Sequence, residues 1–331
     1  MGCRLLPPLA AFLSLALAIA LAPPAPSVHA QDAPAYVALG DSLAFGVGAS
    51  NPSTTGYVAL AHNALSNSER FSPTGLELRN LGVAGARSAD LLTPGGQLDS
   101  ALDEIRARQE DASPIANEVE VISVDVGGND LLGLVAPGSP CLESASVEPC
   151  RAAFGEVLSS IDRNLTEIVT RLREAAPEAV IVVVDLYNPY SGTGDLREPI
   201  AEVGVGQANG VIGAVSADPE LLITTASIFQ LFTGRGTQWV APDGIHPNDN
   251  GHRVIAEAVI AAIDNREPSI PDELLAVAPG ATAAAIDPGS GGGLENGGDG
   301  VSTVLLMALV VVAFVAGAAV SGAYFVARGR A

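Results

Sequence analysis

The chain of 331 residues holds 37 acidic and 16 basic residues, which gives a formal charge of −21 at pH 7. Such acidity argues against nucleic acid as a partner, because phosphate binding needs clustered basic side chains. The sequence contains no lysine, which excludes Schiff-base lysines, Walker-type lysines and Ser-Lys dyads.

The first thirty residues have the pattern of a secretory signal peptide. Arg4 precedes an apolar run over 9–21, and the small residues Val28 and Ala30 suit cleavage before Gln31. The alternative is an uncleaved N-terminal anchor. We predict that residues 1–30 are removed and that the mature chain begins at Gln31.

Residues 31–265 follow as one predicted globular domain. Strand-like runs alternate with helical patterns, which is typical of a parallel sheet covered on both faces. The predicted strands cover 35–39, 77–81, 119–126, 179–186 and 221–225. The predicted helices cover 56–67, 97–109, 151–175, 199–216 and 248–264. The fold class is therefore α/β, with a central parallel sheet of about five strands.

The first predicted strand runs directly into Gly40-Asp41-Ser42-Leu43. Open α/β sheets bind ligands at the carboxyl ends of their strands, and a helix that begins there offers free N–H groups and the positive end of its dipole. Ser42 therefore lies where a nucleophile whose attack creates an oxyanion would be stabilised. An ordinary turn explains the same tetrapeptide, because Gly, Asp and Ser are common turn residues.

Glycine-rich turns end the next two predicted strands. The second strand ends in Asn-Leu-Gly-Val-Ala-Gly at 80–85, and the third in Gly-Gly-Asn-Asp at 127–130. Glycines at these places let the backbone approach a substrate closely, and Asn129 adds an amide donor at the same edge. Tight turns between strand and helix are the alternative explanation of each segment.

The loop after the last predicted strand holds Asp243 and, three residues later, His246. This spacing lets the carboxylate fix the imidazole while the ring reaches a nucleophile, although a surface turn explains one such pair equally. The other three histidines lie in the predicted signal peptide or in helical patterns: His29, His62 and His252. We therefore expect His246 in the site.

Together these segments resemble the SGNH/GDSL hydrolases, which are serine esterases and lipases with a flavodoxin-like three-layer fold. The four family blocks occur in order and span nearly all of the domain, at 40–43, 80–85, 127–130 and 243–246. The resemblance implies that Ser42 is the nucleophile, His246 the general base and Asp243 the third member of a triad. The α/β-hydrolase fold is disfavoured, because no Gly-x-Ser-x-Gly elbow occurs.

The resemblance also implies an oxyanion hole. Its donors would be the N–H groups of Ser42 and Gly85 and the side chain of Asn129, with Gly82 as the open alternative to Gly85. We predict no cofactor and no metal, because no second histidine accompanies His246 at metal-ligand spacing.

The predicted reaction is hydrolysis of a carboxylic ester through an acyl-Ser42 intermediate. The substrate would be a small-molecule, lipid or glycan ester. The same residues would serve a lipase, a thioesterase, a glycan O-deacetylase or an acyltransferase. A catalytically silent domain that binds glycan or lipid is the alternative from a different class, whereas nucleotide binding is disfavoured by the lack of basic groups.

Two loops of the domain are longer than their connections need. Residues 133–150 contain Cys141 and Cys150, which would pair as a disulfide in an oxidising compartment; two free thiols are the alternative. Closing so short a loop would stabilise the fold by roughly 2–3 kcal/mol. Residues 187–198 form the other loop. Both follow strand ends and are expected to border the site.

The segment after the domain changes character twice. Residues 266–300 are rich in Pro, Gly, Ala and acidic residues, which predicts a flexible stalk. Residues 301–327 carry no charge and are long enough to span a bilayer as a transmembrane helix. Two arginines in the tail 328–331 indicate its cytoplasmic side. We therefore predict a single-pass protein of the cell membrane with its catalytic domain outside the cell, in an oligomeric state that stays open.

Overall fold

The computed structural model describes residues 33–110, 118–143 and 147–276. The predicted signal peptide, the predicted transmembrane helix, the tail and most of the predicted stalk lie outside the described residues. Among the helices in these three ranges, none has the length and apolar composition needed to cross a membrane.

Five strands form one sheet in the order β2-β1-β3-β4-β5. Their bounds are β1 Ala35–Gly40, β2 Glu77–Asn80, β3 Val119–Asp125, β4 Val180–Val184 and β5 Ile223–Ala226. All four pairings are parallel, with Leu39 opposite Val124, for example. This confirms the predicted α/β class with a five-stranded parallel sheet, and every predicted strand overlaps an observed one. The carboxyl ends of all five strands therefore meet at one edge.

Helices follow the strands and cover the sheet. The helices are α1 Ser42–Phe45, α2 Pro52–Thr55, α3 Tyr57–Ser66, α4 Gln97–Glu110, α5 Gly128–Leu132, α6 Pro140–Glu143, α7 Val147–Ala175, α8 Glu198–Ser216, α9 Phe229–Phe232, α10 Gly236–Trp239, α11 Asp249–Ile263 and α12 Asp272–Leu275. Two short 3₁₀ helices cover Asp90–Leu92 and Gly133–Val135.

The sheet has an apolar layer on each face, because alternate residues of a strand point to opposite sides. Val37 and Leu39 of β1 pack in the layer that contains α4, α7 and α8. Tyr36 and Ala38 of the same strand pack in the layer that contains α3 and α11. Because neither side of such a strand faces solvent, its residues are apolar on both sides. This burial explains the nearly unbroken apolar runs in the sequence.

The longest helix, α7, buries one stripe of its surface. Ile161, Leu165, Ile168 and Leu172 recur at helical spacing and are fully buried against the sheet. A disulfide joins Cys141 of α6 to Cys150 in the first turn of α7. The predicted pairing of these two cysteines is therefore present in the structure.

The packed chain continues beyond residue 265, where the predicted domain ends. Helix α12 follows an extended segment, and its Leu274 is buried in the same layer as α3 and α11. The indole N–H of Trp239 donates to the Leu274 carbonyl at 3.2 Å, and Arg235 donates to the Leu275 carbonyl at 2.8 Å. Residues 266–275, predicted as the start of the stalk, therefore cover the core at Trp239.

Candidate active site

Ser42 is the first residue of α1, directly after the turn that ends β1. The carboxylate of Asp41 caps this helix by accepting the N–H of Leu43 at 2.9 Å. Gly40 has φ +154°, and a Cβ there would lie 2.5 Å from the carboxyl group of Asp125. Only glycine lets the strand end this close to a buried side chain. The cap from Asp41 and the close approach of Gly40 to Asp125 thus fix the turn that presents Ser42.

A chain of hydrogen bonds links the three residues of the predicted triad. His246 Nε2 lies 3.0 Å from Ser42 Oγ, and His246 Nδ1 lies 2.7 Å from Asp243 Oδ2. The other oxygen, Asp243 Oδ1, accepts the N–H groups of Ile245 at 2.9 Å and of His246 at 3.0 Å. The structure therefore brings together all three side chains.

The charge state of Asp243 follows from these contacts. Its partial burial favours the neutral acid, but the N–H groups of Ile245 and His246 and the imidazole outweigh burial and lower the pKa of Asp243. An ionised Asp243 accepts a hydrogen bond from the Nδ1–H group of His246, which keeps the ring hydrogen on Nδ1. The neutral imidazole then has its lone pair on Nε2, where it can accept the hydroxyl hydrogen of Ser42.

The His246 loop is held against the Ser42 turn by tight contacts. A Cβ at Gly48 would lie 2.2 Å from the Pro247 carbonyl oxygen. From the other side, Tyr187 donates its phenolic hydrogen to the Ile245 carbonyl at 2.5 Å. Tyr187 belongs to the loop 187–198 that was expected to border the site, and it contacts the residue next to His246.

His252, on α11 after the His246 loop, bonds both the Ser42 turn and α3. Its Nδ1 accepts the backbone N–H of Tyr57 at 3.2 Å, and its Nε2 donates to the Val47 carbonyl at 3.0 Å. Because an N–H only donates and a carbonyl only accepts, these partners fix a neutral ring. Burial lowers the pKa of His252. Its place within a helical pattern predicted a solvated or a packed role, but not this link between the Ser42 turn and α3.

The sequence left open whether Gly82 or Gly85 donates to the oxyanion. The hydrogen bonds of their backbone N–H groups distinguish the two. The N–H of Gly82 already donates to Asn80 Oδ1 at 3.0 Å. Within the described part of the chain, the N–H groups of Ser42 and Gly85 donate to no protein acceptor. Gly85 has φ +84°, and the position of a Cβ there opens into free space. This geometry favours Gly85 over Gly82 as an oxyanion donor.

Asn129 lies between these two segments, in the first turn of α5. Its Nδ2 donates to Asp41 Oδ2 and to the Ala86 carbonyl, both at 3.0 Å. The amide thus joins the turn after β1 to the turn after β2. Its neighbour Asp130 holds the second turn as well, because its two oxygens accept the N–H and the hydroxyl of Ser88 at 2.9 and 2.7 Å.

A buried carboxyl group beneath the site was not among the predicted residues. Asp125, the last residue of β3, accepts the N–H of Asp41 at 3.1 Å and that of Ala44 at 3.3 Å. Burial and the nearby Asp41 raise the pKa of Asp125 well above its usual value. Burial also raises the pKa of Asp41. An acidic residue at the end of the apolar strand Val119–Asp125 was the signal that could have identified it.

Sequence comparisons identify relatives of the chain. The sequence model of the GDSL-like lipase/acylhydrolase family matches residues 38–254. The uncharacterised protein YpmR of Bacillus subtilis strain 168 is 26% identical over 234 residues, which cover 68% of this chain and 80% of that protein. A lipase of Streptomyces rimosus is 26% identical over 197 residues, which cover 58% of this chain and 66% of that protein.

The fold has a relative among solved structures as well. The lipase Lip_vut3 from a goat rumen metagenome superposes with a TM-score of 0.51 at 22% sequence identity, over 69% of this chain and 97% of that one. This likeness concerns the fold, whereas the family match rests on the sequence over most of the domain. The resemblance drawn from the four short blocks is thereby confirmed: the chain belongs to the GDSL-like lipase/acylhydrolase family and is a carboxylic ester hydrolase.

Proposed function

We propose that the protein cleaves its ester by transferring the acyl group to Ser42 and then to water. The observation that carries this proposal is the continuous hydrogen-bonded chain from Ser42 Oγ through His246 to Asp243, with links of 3.0 and 2.7 Å. Nothing else in the described residues places a hydroxyl nucleophile against a base that a carboxylate orients in this way.

In this mechanism, His246 Nε2 removes the hydroxyl hydrogen as Ser42 Oγ attacks the carbonyl carbon. His246 then gives the hydrogen to the leaving alkoxide, and the acyl-serine forms. In the second half, His246 takes a proton from water as the water oxygen attacks the acyl carbon, and it then gives that proton to Ser42 Oγ as the bond to the acyl group breaks. The ionised Asp243 stabilises the imidazolium that forms in both halves.

The oxyanion that forms in each half needs donors. The N–H groups of Ser42 and Gly85 are free for this task in the described structure. Both amide hydrogens of Asn129 are already used, by Asp41 and by the Ala86 carbonyl. Its donation to the oxyanion therefore requires that one of these two bonds be shared or released as charge develops on the substrate.

The proposal includes where the enzyme works. The signal pattern at 1–30 and the apolar segment 301–327 support a protein that is exported and held by one membrane-spanning helix, with the hydrolase domain outside the cell. Lipid, glycan and small-molecule esters are the substrate classes that such a location offers. Hydrolysis is preferred over acyl transfer to another alcohol, because the family model that the chain matches is that of lipases and acylhydrolases.

The test is the purified enzyme on a series of activated esters, with a fluorophosphonate probe as a label of the nucleophile. Ser42→Ala should abolish labelling and lower kcat by about 10⁴–10⁶. Ser159→Ala, on the exposed face of α7, is the matched control and should keep both. Activity retained by a folded Ser42→Ala enzyme would move the nucleophile to another residue. A wild-type protein without hydrolysis or labelling would favour the silent binding domain.

A further inference from the structure

Large apolar side chains are exposed at the edge of the sheet that carries Ser42. Phe45 is 50% exposed, Val83 is 53% exposed and Val135 is 50% exposed. They follow the carboxyl ends of β1, β2 and β3, respectively. Contact between these apolar side chains and water is unfavourable in the free enzyme. A ligand that covers them removes this contact and thereby gains binding free energy.

Phe45 and Val83 belong to two segments that pack on each other at the nucleophile turn. Phe45 ends the helix that Ser42 begins, and residues three apart share one side of a helix. A Cβ at Gly82 would lie 2.7 Å from the backbone nitrogen of Phe45, so the turn that carries Val83 packs directly on α1. Val83 also donates its N–H to the Gly40 carbonyl at 3.1 Å. We call Phe45 and Val83 the apolar strip.

The apolar strip lies on the side where the mechanism needs the acyl group. His246 protonates the leaving alkoxide, so the alcohol part of the ester lies towards the His246 loop. Tyr187, which follows β4, holds that loop by its bond to Ile245. Val83 follows β2, and β2 and β4 lie on opposite sides of β1 in the sheet. The acyl part therefore extends from Ser42 towards the strip.

The chemistry of the strip is that of an alkyl binder. The segments 42–48 and 80–86, which form it, contain no charged residue, although 16% of the chain is charged. A glycan would find few hydrogen-bonding side chains along this surface, since Asn80 is already bonded to the Ala44 carbonyl and to the N–H of Gly82. A methylene chain needs none.

We propose that Phe45 and Val83 bind the acyl chain and that the enzyme prefers esters of medium or longer linear alkanoic acids over acetyl esters. This inference rests on the proposed acyl transfer to Ser42. Burial of each methylene on the strip raises kcat/KM by about threefold to fourfold. An acetyl group ends at its first methyl group and is too short to gain from the strip.

The experiment compares kcat/KM for octanoyl and acetyl esters of the same alcohol. The Phe45→Ser/Val83→Ser double variant should lower the octanoyl-to-acetyl ratio by about tenfold or more. Leu222→Ser is the matched control, because Leu222 is 68% exposed and precedes β5, at the opposite edge of the sheet. It should leave the ratio unchanged.

The same comparison is made with alkyl fluorophosphonates of short and long chain, which report the inactivation rate without turnover. An unchanged chain-length ratio in the double variant, by hydrolysis and by inactivation, would overturn the acyl-binding strip. That result differs from failure of the proposed function, in which hydrolysis survives Ser42→Ala or is absent from the wild type.

Discussion

Tyr57 donates its phenolic hydrogen to Asp125 Oδ2 across 2.5 Å, beneath the turn that presents Ser42. Both side chains are buried, and the second carboxyl oxygen, Oδ1, accepts the N–H groups of Asp41 and Ala44. Burial raises the pKa of Tyr57 well above its usual value, so the phenol stays a donor at working pH. The nucleophile turn therefore rests on a carboxyl group that a tyrosine holds in place.

Removing this hydroxyl should destabilise the enzyme more than removing a similar one elsewhere. Tyr57→Phe leaves a buried carboxyl oxygen without its donor and should lower the free energy of unfolding by about 1–3 kcal/mol. Tyr36→Phe is the control, since Tyr36 is equally buried but bonds the neutral hydroxyl of Ser123 at 2.9 Å; its loss should be about 0.5–1.5 kcal/mol. Urea unfolding measures both. Equal decreases in the free energy of unfolding would mean that losing a bond to the Asp125 carboxyl group is no more destabilising than losing one to a hydroxyl group.

His252 should make the fold sensitive to acid. Its folded-state pKa lies below the unfolded value of 6.5, mainly through burial, with Asp249 opposing and His246 adding to the shift. Between these two values the unfolded chain binds more protons, so the contribution of His252 to stability is complete above pH 6.5 and is lost as pH falls below it. The loss is at most about 1.4 kcal/mol per pH unit.

The variant His252→Gln keeps one acceptor and one donor but does not titrate. The difference in unfolding free energy between wild type and variant should therefore change with pH below 6.5 and stay constant above it. Taking the difference removes the opposite contribution of Asp185, whose pKa burial raises to about 6. A difference that is flat from pH 5 to 8 would contradict the assignment.

Asn129→Ala should lower kcat by about 10²–10³ with little change in KM, because an oxyanion donor acts on charge that develops in the transition state. The variant also loses the bonds to Asp41 and Ala86, so its unfolding free energy is measured beside its kinetics. A rise in KM at constant kcat would make Asn129 a substrate-binding residue instead.

Because α12 packs on the domain, a shortened chain should keep its stability only if it retains α12. A chain of residues 31–276 retains α12, whereas one of residues 31–266 loses Leu274 and the acceptor of the Trp239 indole. The longer form should be fully active without the apolar segment. The shorter form should be less stable by about 2–4 kcal/mol, from the loss of one buried leucine and one hydrogen bond. Thermal unfolding of the two forms compares them, and equal midpoints would return the boundary to residue 265.

The strands and the triad were predictable because their signals are local. A β-branched run such as 180–184 predicts a buried strand by itself, and Ser42 and His246 lie in short motifs at strand ends. The partner of Asp125 was not predictable, since Tyr57 lies 68 residues away in the sequence. The choice of Gly85 over Gly82 required the position of one amide oxygen of Asn80.

The packing of residues 266–275 on the domain was also not predictable from the sequence. Residues 266–271 contain two prolines and no apolar periodicity, which is typical of a linker. The segment is held on the domain by the buried side chain of Leu274, by Ile270, which packs against the same core layer, and by hydrogen bonds. Glu257 accepts from Arg266 and from the N–H of Ser269, and two carbonyl groups accept from Arg235 and Trp239. Three apolar residues among prolines and acidic residues, Ile270, Leu274 and Leu275, are too few to form a pattern from which burial follows.

The base and the nucleophile stand 204 residues apart in the sequence. Ser42 follows the first strand, and His246 precedes the final long helix, so neither half of the domain contains a working pair. Helix α11 also supplies a large part of one core layer, through Val254, Ile255 and Val259 among others. Ester cleavage therefore requires that the first strand and α11 are packed on the same sheet. Activity thus reports the assembly of the whole domain, whereas a spectroscopic signal of one helix or strand reports only local structure.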